Sequence, residues 1–413
     1  MLKRIEIIKK TAMIIYTLFS KRKFLWIINV LVFNLCRIIP FRDNKLWVFG
    51  AYGGRKYEDN SRALFEHIYE FHKGEIRPVW LTYNKDELYK VCEAGYEGYL
   101  INSWKGKWIS IRCGVAYMTH GIDDFGSIPL VGGALVVALW HGVGFKKIYG
   151  ATYQGYKIRI MRIMNFFFSW TYRNITCATS EYTRKQFYIR FNTNENNTYI
   201  TGQPRNDFFS KAICREEVLT DIKIPANKKI ILYMPTYRWG KEGNFIMQKI
   251  VNALITNIRL NDILERMNCV FLIKLHPVTL LNDMVCSDNI FVLKDRNVRS
   301  SQGLLAIADC LVTDYSSCFT DYALLNRPII FFTPDHLEYL KNATDMDKEY
   351  YALCSINKTS TIDELVDMIH HLYVGDLMKQ TDEINKYFND ILIRNTCYSE
   401  NVYKLIYGKI LKK

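Results

Sequence analysis

Along most of the chain, short apolar runs alternate with longer stretches in which apolar residues recur at helical spacing. This alternation is typical of βαβ units, in which helices cover a parallel sheet. The predicted strands fall in two series, residues 46–49, 78–81, 115–118, 135–140, 175–178 and 199–201, and then residues 230–234, 270–274, 290–293, 311–313 and 329–332. Residues 61–72 and 158–169 are predicted helices. The pattern therefore predicts an α/β protein.

A polar stretch between the two series indicates a domain boundary near residue 207. We expect four segments, namely a leader (1–45), an N-terminal Rossmann-like domain (46–207), a C-terminal Rossmann-like domain (208–383) and a C-terminal helical segment (384–413). Two such domains face one another across a cleft. In open parallel sheets, ligands bind beyond the carboxyl ends of the strands, so chemistry is expected at the residues that follow each strand.

The leader combines apolar runs with an excess of positive charge. The chain has a formal net charge of +14, and residues 1–45 hold ten Lys and Arg against Glu6 and Asp43. Their longest apolar run, residues 24–39, is interrupted by polar residues and is shorter than the about 20 residues of a membrane-spanning helix. We therefore expect helices that lie on an anionic membrane surface, with packing against the body of the protein as the alternative.

Cysteine usage and missing motifs narrow the function classes. The eleven cysteines are scattered singly, without a CxxC pair, which favours the reduced environment of the cytosol. The sequence contains no GxxxxGKS/T, GxGxxG or HExxH motif, the marks of P-loop, dinucleotide-binding and zinc-protease sites. We expect catalysis that requires no metal and no cofactor, no nucleic acid partner, and a peripheral position at the cytoplasmic face of the cell membrane.

Two histidines stand directly after predicted strands, one in each series. His141 follows residues 135–140, and His276 follows residues 270–274. An imidazole titrates near neutral pH and can take a proton from an attacking hydroxyl. A histidine at a strand end can equally be a structural hydrogen-bonding residue, and His120 remains an open candidate. Four histidines on amphipathic stretches are expected at surface or packing positions, namely His67, His72, His370 and His371.

Candidates for phosphate contact also follow predicted strands. The turn at Ser316 and Ser317 precedes a predicted helix, whose free backbone N–H groups and dipole suit a diphosphate, although plain helix capping explains the same residues. Arg238 follows residues 230–234 and offers a planar guanidinium that suits phosphate. Three lysines lie near the strand-end histidines, namely Lys146, Lys147 and Lys274.

Five segments carry a resemblance to a known family. In chain order they are FGAYGGRKYEDNSRAL (49–64), LWHGVGFKKI (139–148), TGQPRND (201–207), ILYMPTYR (231–238) and LVTDYSSCFTDYALLNRP (311–328). Together they resemble the CDP-glycerol glycerophosphotransferase family, whose members prime and polymerise teichoic acids. Their ordered recurrence over residues 46–340 is more specific than any single motif.

The resemblance implies a GT-B fold and assigns roles to the candidates. It implies that the second domain binds the CDP donor, that the first domain takes the acceptor, and that His141 and His276 are both catalytic. It also implies that the turn at Ser316 and Ser317 binds the donor phosphates. The other residues that we predict to bind substrate are Arg205, Asn206, Asp207, Thr236, Arg238, Lys274, Asp314, Asp321, Lys146 and Lys147.

The implied reaction transfers glycerol phosphate, or a related polyol phosphate, from CDP-glycerol or a similar CDP-polyol. The acceptor is the hydroxyl end of a lipid-linked teichoic-acid-like or capsular glycan, and CMP is released. Where the family often has Thr-Pro, this chain has Val143 and Gly144, which leaves the polyol open. The alternatives are a nucleotide-sugar transferase or epimerase of the same fold, and a non-catalytic binder of anionic polymer whose binding is lost with salt.

Overall fold

The computed structural model describes residues 21–143, 145–148, 151, 173–276, 279, 287–342, 345–372 and 377–411. Within these residues the chain forms two sheets in which neighbouring strands run parallel. The predicted α/β class is confirmed. Residues 1–20 of the predicted leader and the predicted helix 158–169 lie outside the described residues.

The first sheet belongs to the N-terminal half. Its strands are β1 (Asp43–Phe49), β2 (Arg77–Thr82), β3 (Gly98–Leu100), β4 (Cys113–Met118), β5 (Leu135–Ala138), β6 (Ile175–Ala178) and β7 (Thr198–Ile200). They lie in the spatial order β3-β2-β1-β4-β5-β6-β7. The central strand β4 is buried along its whole length, because a parallel sheet with helices on both faces leaves no side of its central strands in water.

The second sheet follows in the C-terminal half. Its strands are β8 (Lys229–Met234), β9 (Cys269–Lys274), β10 (Ile290–Leu293), β11 (Cys310–Thr313), β12 (Ile329–Phe332) and β13 (Lys358–Thr359). They lie in the order β10-β9-β8-β11-β12-β13. In both sheets the strand order reverses beside the first strand, and such a switch point is where ligands bind in open α/β sheets.

Helices connect the strands and cover the sheets. Those of the first half are α1 (Lys21–Cys36), α2 (Asp59–Phe71), α3 (Lys85–Glu93), α4 (Trp104–Arg112) and α5 (Glu181–Phe191). Those that follow are α6 (Arg215–Val218), α7 (Gly240–Ile255), α8 (Ile258–Arg266), α9 (Ser301–Ile307), α10 (Cys318–Tyr322), α11 (His336–Asn342), α12 (Lys348–Cys354), α13 (Ile362–His370), α14 (Leu377–Phe388) and α15 (Tyr398–Ile410).

The last two helices pack on different halves of the molecule. On α14, Asn385 donates to the carbonyl oxygen of Ala323 at 2.8 Å, beside the second sheet. On α15, Val402 and Tyr403 belong to the core of the first sheet, where the Tyr403 ring lies 5.8 Å from the ring of Trp47. The chain therefore returns to the first half after completing the second.

Two short strands and one strand end differ from the sequence prediction. The edge strands β3 and β13 were not predicted, because runs of three and two residues carry no readable alternation. The predicted strand 135–140 is too long, and β5 ends at Ala138. Trp140 has a left-handed backbone with φ +60°, which an extended strand cannot accommodate.

The first described helix, α1, is fixed to the body by its C-terminal end. Phe33 and Cys36 are buried in the core of the first half. The guanidinium of Arg42 donates to the carbonyl oxygens of Cys36 and Cys113, both at 3.0 Å. Among the residues that the structure describes, no helix combines the length and the apolar character needed to cross a membrane.

Candidate active site

His141 lies just beyond the carboxyl end of β5, in a loop that bends at Trp140. The side-chain amide of Asn60 holds this bend by donating to the Trp140 carbonyl oxygen at 2.7 Å. Nδ1 of His141 lies 3.0 Å from the carbonyl oxygen of Thr119. A carbonyl oxygen only accepts hydrogen bonds, so Nδ1 carries the hydrogen of the neutral ring and Nε2 keeps its lone pair.

A second imidazole, His120, stacks on His141. The ring centroids are 4.1 Å apart and the planes differ by 9°. Asp124 fixes the loop that carries His120, because its carboxylate accepts from the backbone N–H groups of Thr119 at 2.8 Å and of His120 at 2.9 Å. Burial, and then the neighbouring His120, lower the pKa of His141 to about 4. The His141 ring is therefore neutral at pH 7.

The loop after His141 reaches the second half of the molecule at Ser317. A Cβ built on Gly142 would lie 2.9 Å from Ser317 Oγ, so a larger residue would displace that hydroxyl. The Gly142 carbonyl oxygen accepts from Nε2 of Gln203 at 2.9 Å. Ser316 and Ser317 are partly exposed at the start of α10. The predicted base and the predicted diphosphate turn thus lie on two sides of one narrow gap.

Lys146 extends from the same loop into the neighbourhood of Asp314 and Arg238. Burial lowers its pKa to about 8, and the nearby Asp314 carboxylate partly offsets that effect. No hydrogen bond or ion pair joins its ammonium group to another of the described residues. The side chain is partly exposed and keeps unused donors, so its ammonium group is suited to bind an anionic ligand beside Asp314.

Arg238 is the centre of a buried ion-pair network. Its guanidinium donates to both carboxylate oxygens of Asp335, at 2.6 and 2.8 Å, and to Asp314 at 2.7 Å. A fourth bond, at 2.7 Å, goes to the carbonyl oxygen of Thr236. Asp314 in turn accepts from the backbone N–H of Thr236 at 2.7 Å. Most donors of Arg238 therefore hold the loops after β8 and β11 together, and its contact with substrate stays a prediction.

His276 lies on the second half, directly after β9. Its ring is 5.1 Å from the ring of Tyr237, which lines a pocket together with Arg238, Trp239, Asp335 and Tyr339. Burial, and then the positive charges of Lys274 and Lys56, lower the pKa of His276. Lys56 belongs to the first half, so His276 lies within electrostatic reach of that half, and its catalytic role stays a prediction.

Lys274 is held beside His276. Its ammonium group donates to Asp295 Oδ1 at 2.6 Å and to the carbonyl oxygen of Leu275 at 2.9 Å. These contacts fix the end of β9, and binding of substrate by Lys274 stays a prediction.

Arg205 joins the two halves below the gap. Its guanidinium pairs with Asp59 of α2 at 2.8 Å and with Asp321 of α10 at 2.8 Å. It also donates to the carbonyl oxygen of His141 at 3.1 Å. Asn206 adds a bond of 2.9 Å to Asp321. All four side chains are largely buried, so the structure gives them a role in holding the site together.

Two predicted substrate-binding residues lie away from the gap. Asp207 caps α15, because its carboxylate accepts from the backbone N–H groups of Tyr398 at 2.6 Å and Ser399 at 2.8 Å. Lys147 pairs with Asp345. The structure does not bring either side chain to His141, and their contact with substrate stays a prediction.

Sequence reasoning did not single out several residues that shape this site. Asp59 and Asn60 lie in the first matched segment, where the resemblance pointed to the segment but to no individual residue. Asp124 and Asp335 come after the predicted strands 115–118 and 329–332, so their position and their carboxyl chemistry were the signals that could have identified them. Tyr52, Asp59 and Trp140 all have positive φ angles, and such strained non-glycine positions often cluster at functional sites.

The candidate site lies between the two halves of the molecule. Comparison with known proteins shows the family to which the chain belongs. Residues 31–407 match the family model described as CDP-Glycerol:Poly(glycerophosphate) glycerophosphotransferase. The chain belongs to this family. The predicted family and the predicted enzyme class, a CDP-glycerol glycerophosphotransferase, are confirmed.

Curated relatives of the chain act in teichoic acid synthesis. A teichoic acid poly(glycerol phosphate) polymerase of Bacillus spizizenii is 25% identical over 93% of this chain and 95% of its own length. A teichoic acid glycerol-phosphate transferase of Staphylococcus aureus is 26% identical over 81% and 86%. A poly(ribitol-phosphate) polymerase of Bacillus spizizenii is 31% identical over 66% of this chain, which spans only 44% of that protein. Relatives of both donor types are therefore similar to this chain.

Solved structures establish the fold. The wall teichoic acid polymerase TagF has a TM-score of 0.72 at 20% identity, over 98% of this chain and 97% of that chain. A UDP-N-acetylglucosamine 2-epimerase has a TM-score of 0.52 at 10% identity, over 89% and 96%. The predicted similarity to GT-B enzymes is confirmed at the level of an α/β fold with two parallel sheets. The fold alone does not separate the two activities, whereas the family match favours glycerophosphate transfer.

Proposed function

We propose that this chain transfers glycerol phosphate from CDP-glycerol to the terminal hydroxyl of a lipid-linked teichoic-acid-like or capsular glycan and releases CMP. The family match over residues 31–407 supports the reaction class. The observation that carries the assignment to this cleft is the position of His141. Its Nδ1 is bound to the Thr119 carbonyl oxygen, and the following residue, Gly142, lies so near Ser317 that a Cβ at this position would be only 2.9 Å from the Ser317 hydroxyl oxygen.

His141 is the general base in this proposal. Among the described residues no group is bonded to Nε2 of His141, and this nitrogen carries the lone pair. It takes the proton of the acceptor hydroxyl while the oxygen attacks the β-phosphorus of the donor. The new bond joins that oxygen to phosphorus, and the bond from phosphorus to the bridging oxygen breaks. The electron pair leaves with CMP, so one glycerol phosphate is added for each CMP formed.

Fixed charges of the second half and its neighbouring loop stabilise the phosphates. Phosphoryl transfer gains most of its catalysis from positioning and charge stabilisation rather than from covalent chemistry. Lys146 supplies an ammonium group near Asp314, and the start of α10 at Ser316 and Ser317 supplies hydroxyl and backbone donors. His276 approaches the same cleft from β9. Arg238 acts through Asp314 and Asp335, by holding these loops in place.

Parallel incubations with three donors test the proposed reaction. Purified protein and a membrane acceptor fraction are incubated with CDP-glycerol, CDP-ribitol or a UDP-sugar, and released CMP or UDP is measured. We expect acceptor-dependent CMP from CDP-glycerol. CMP release from CDP-ribitol alone would mean that ribitol phosphate is transferred by the same mechanism. This outcome is compatible with the relatives, which include poly(glycerol phosphate) and poly(ribitol-phosphate) polymerases. Release of UDP without CMP would overturn the proposal in favour of a sugar transferase.

Exposed aromatic and apolar side chains on the first half support a peripheral position at a membrane, which we propose to be the cytoplasmic face of the cell membrane. On α4, the Trp104 and Trp108 side chains are 89% and 56% exposed, four positions apart and therefore on one side of the helix. Arg42 connects α4 to α1, because it donates to the carbonyl oxygens of Ser110 on α4 and of Cys36 on α1. Several apolar residues at and after the end of α1 are also exposed, namely Leu31, Leu35, Ile38 and Phe41.

The chemistry of this surface suits an anionic lipid headgroup layer. Exposed tryptophans are favoured at membrane interfaces, and Lys107 and Arg112 lie 5.7 and 5.8 Å from the Trp104 and Trp108 rings. Each basic side chain near an anionic surface contributes about 1 kcal/mol. We therefore propose that α1 and α4 form one face that rests on the membrane, and that the predicted leader extends it.

Sedimentation with anionic vesicles tests this face. We expect Trp104→Ala/Trp108→Ala to reduce vesicle binding at least about tenfold, since the two aromatic side chains that membrane binding would bury are lost. Ile391→Ala/Leu392→Ala is the matched control, because these residues are as exposed but lie elsewhere on the chain. Equal binding by both double variants would show that α4 does not contact the membrane.

A further inference from the structure

Three potential metal ligands from distant parts of the chain meet where α15 packs on α2. Nε2 of His67 lies 2.9 Å from Oε2 of Glu400, and Nε2 of His72 lies 2.8 Å from the same oxygen. The three ligand atoms lie within 4.8 Å of one another. The cluster is not part of the site described above, and the sequence alone suggested only surface or packing positions for both histidines.

The backbone brings the two rings together. On a continuous helix, residues five positions apart point about 140° away from one another. His72 follows the last residue of α2 and leaves the helix with φ −130° and ψ 12°. Its ring centroid therefore lies only 5.7 Å from that of His67. The ring also stacks at 3.5 Å on Tyr403, a residue of the core, which fixes its position.

Glu400 is fixed from the other side of the cluster. It lies in the first turn of α15, whose start is anchored by the bonds from Tyr398 and Ser399 to Asp207. Lys404 pairs with the other carboxylate oxygen, Oε1, at 3.3 Å. Oε2 is thereby left facing the two imidazoles.

The donor set has the chemistry of a transition-metal site. Two imidazole nitrogens and one carboxylate oxygen suit Zn²⁺, whereas Mg²⁺ and Ca²⁺ prefer oxygen ligands throughout. In a tetrahedral zinc site with bonds of about 2.1 Å, ligand atoms lie about 3.4 Å apart, which small side-chain rotations reach from the observed positions. We propose that His67, His72 and Glu400 bind a Zn²⁺ ion that clamps α15 to α2.

Each ligand can take the form that a metal requires. As the rings stand, each donates its Nε2 hydrogen to Glu400, because a carboxylate oxygen only accepts. On metal binding this hydrogen moves to Nδ1, and Nδ1 of His67 faces Cys397 Sγ at 3.9 Å. The three side chains are 15%, 15% and 26% exposed, so water can complete the coordination shell.

A zinc ion here would act on stability rather than on the transfer reaction. It would join a helix of the first half to the last helix of the chain, and a ligand that binds only the folded state raises stability by mass action. The inference is independent of the proposed transferase activity, so its test needs no substrate.

Zinc binding by the untagged full chain after chelator treatment tests the proposal. ZnCl₂ is titrated calorimetrically, and the melting temperature is measured with ZnCl₂, with MgCl₂ and with excess chelator. We expect wild type to bind one more Zn²⁺ than His67→Ala/His72→Ala. We also expect Zn²⁺, but not Mg²⁺, to raise its melting temperature by at least about 2 °C.

Matched variants separate ligand loss from misfolding. His370→Ala/His371→Ala removes two histidines elsewhere and should bind zinc as wild type does. Glu400→Gln keeps the size of the side chain and should lose the zinc-dependent shift while folding normally in chelator, as judged by near-UV circular dichroism. Equal zinc stoichiometry and equal shifts in wild type and in His67→Ala/His72→Ala would overturn the proposal.

Discussion

At the scale of single residues, the proposed chemistry depends on the two ring nitrogens of His141, which have different surroundings. The Thr119 carbonyl oxygen fixes the hydrogen of His141 on Nδ1, so the base is available at Nε2 without any rearrangement. Burial and the stacked His120 lower the pKa of His141 to about 4. Negative charge favours the protonated ring, so bound phosphates should raise this pKa toward the working pH, where a general base is most effective.

The pH profile of kcat/KM follows from these shifts. This quantity reports the free enzyme, so the acid limb should lie near the His141 pKa of about 4, below which the base is protonated. The alkaline limb should lie near the Lys146 pKa of about 8, above which the ammonium charge is lost. Initial rates of CMP release measured at low donor concentration check both limbs. In Lys146→Arg the alkaline limb should move upward, and an unchanged limb would assign it to another group.

Lys146 should matter more than its sequence neighbour. We expect Lys146→Met to lower kcat/KM about 10²-fold, because a charge aimed at the donor phosphates is removed. Lys147→Met is the comparison, since Lys147 pairs with Asp345 on the exposed surface and should lose less activity than Lys146→Met. Similar losses in both variants would point to a general effect of the loop's charge.

At the scale of elements, the cap of α15 is a clear test of the observed packing. Asp207→Ala removes the carboxylate that accepts from the first two backbone N–H groups of this helix. Loss of such a cap costs about 1 kcal/mol, so the melting temperature of this 413-residue chain should fall by about 1 °C. Asp382→Ala, an exposed change on α14, should leave it unchanged. A drop of the same size in both variants would mean that the cap contributes nothing specific.

Most strands could be predicted from the sequence because burial on both faces makes them continuously apolar. The runs that became β6, β10 and β12 were predicted with the observed bounds. The edge strands β3 and β13 could not be, since their pairing depends on neighbours and not on their own residues. The end of β5 was missed for a different reason, because the left-handed Trp140 is held by Asn60, 80 positions away.

Only those residues of the candidate site that follow a predicted strand could be singled out from the sequence. His141, His276 and the turn at Ser317 were found because each directly follows a predicted strand. The residues that orient them were not, since Asp59, Asp124 and Asp335 act through contacts that only the fold creates. In the same way, the carboxylates from both halves that pair with Arg205 could not be predicted, and its contact with substrate stays a prediction.

At the scale of the whole molecule, Arg205 is one of the buried charges that join the two halves. Arg205→Met leaves Asp59 and Asp321 buried without their cation, and breaking a buried ion pair costs about 3–5 kcal/mol. Urea denaturation should therefore show a loss of that size in the free energy of unfolding. Arg62→Met, which removes the pair with Glu66 within one helix, should cost less than about 1 kcal/mol. Equal losses would show that Arg205 does not join the halves.

The central claim is that His141, near the turn at Ser317, is the general base of glycerol phosphate transfer. One measurement tests this claim most directly. Wild type and His141→Gln are incubated with CDP-glycerol labelled in the glycerol and with a membrane acceptor, and both CMP and polymer-bound label are counted. We expect equal amounts of CMP and incorporated glycerol phosphate in wild type, and a fall of both by about 10²-fold or more in His141→Gln. His370→Gln should match wild type. Full incorporation by His141→Gln, or CMP release without incorporation by wild type, would contradict the account.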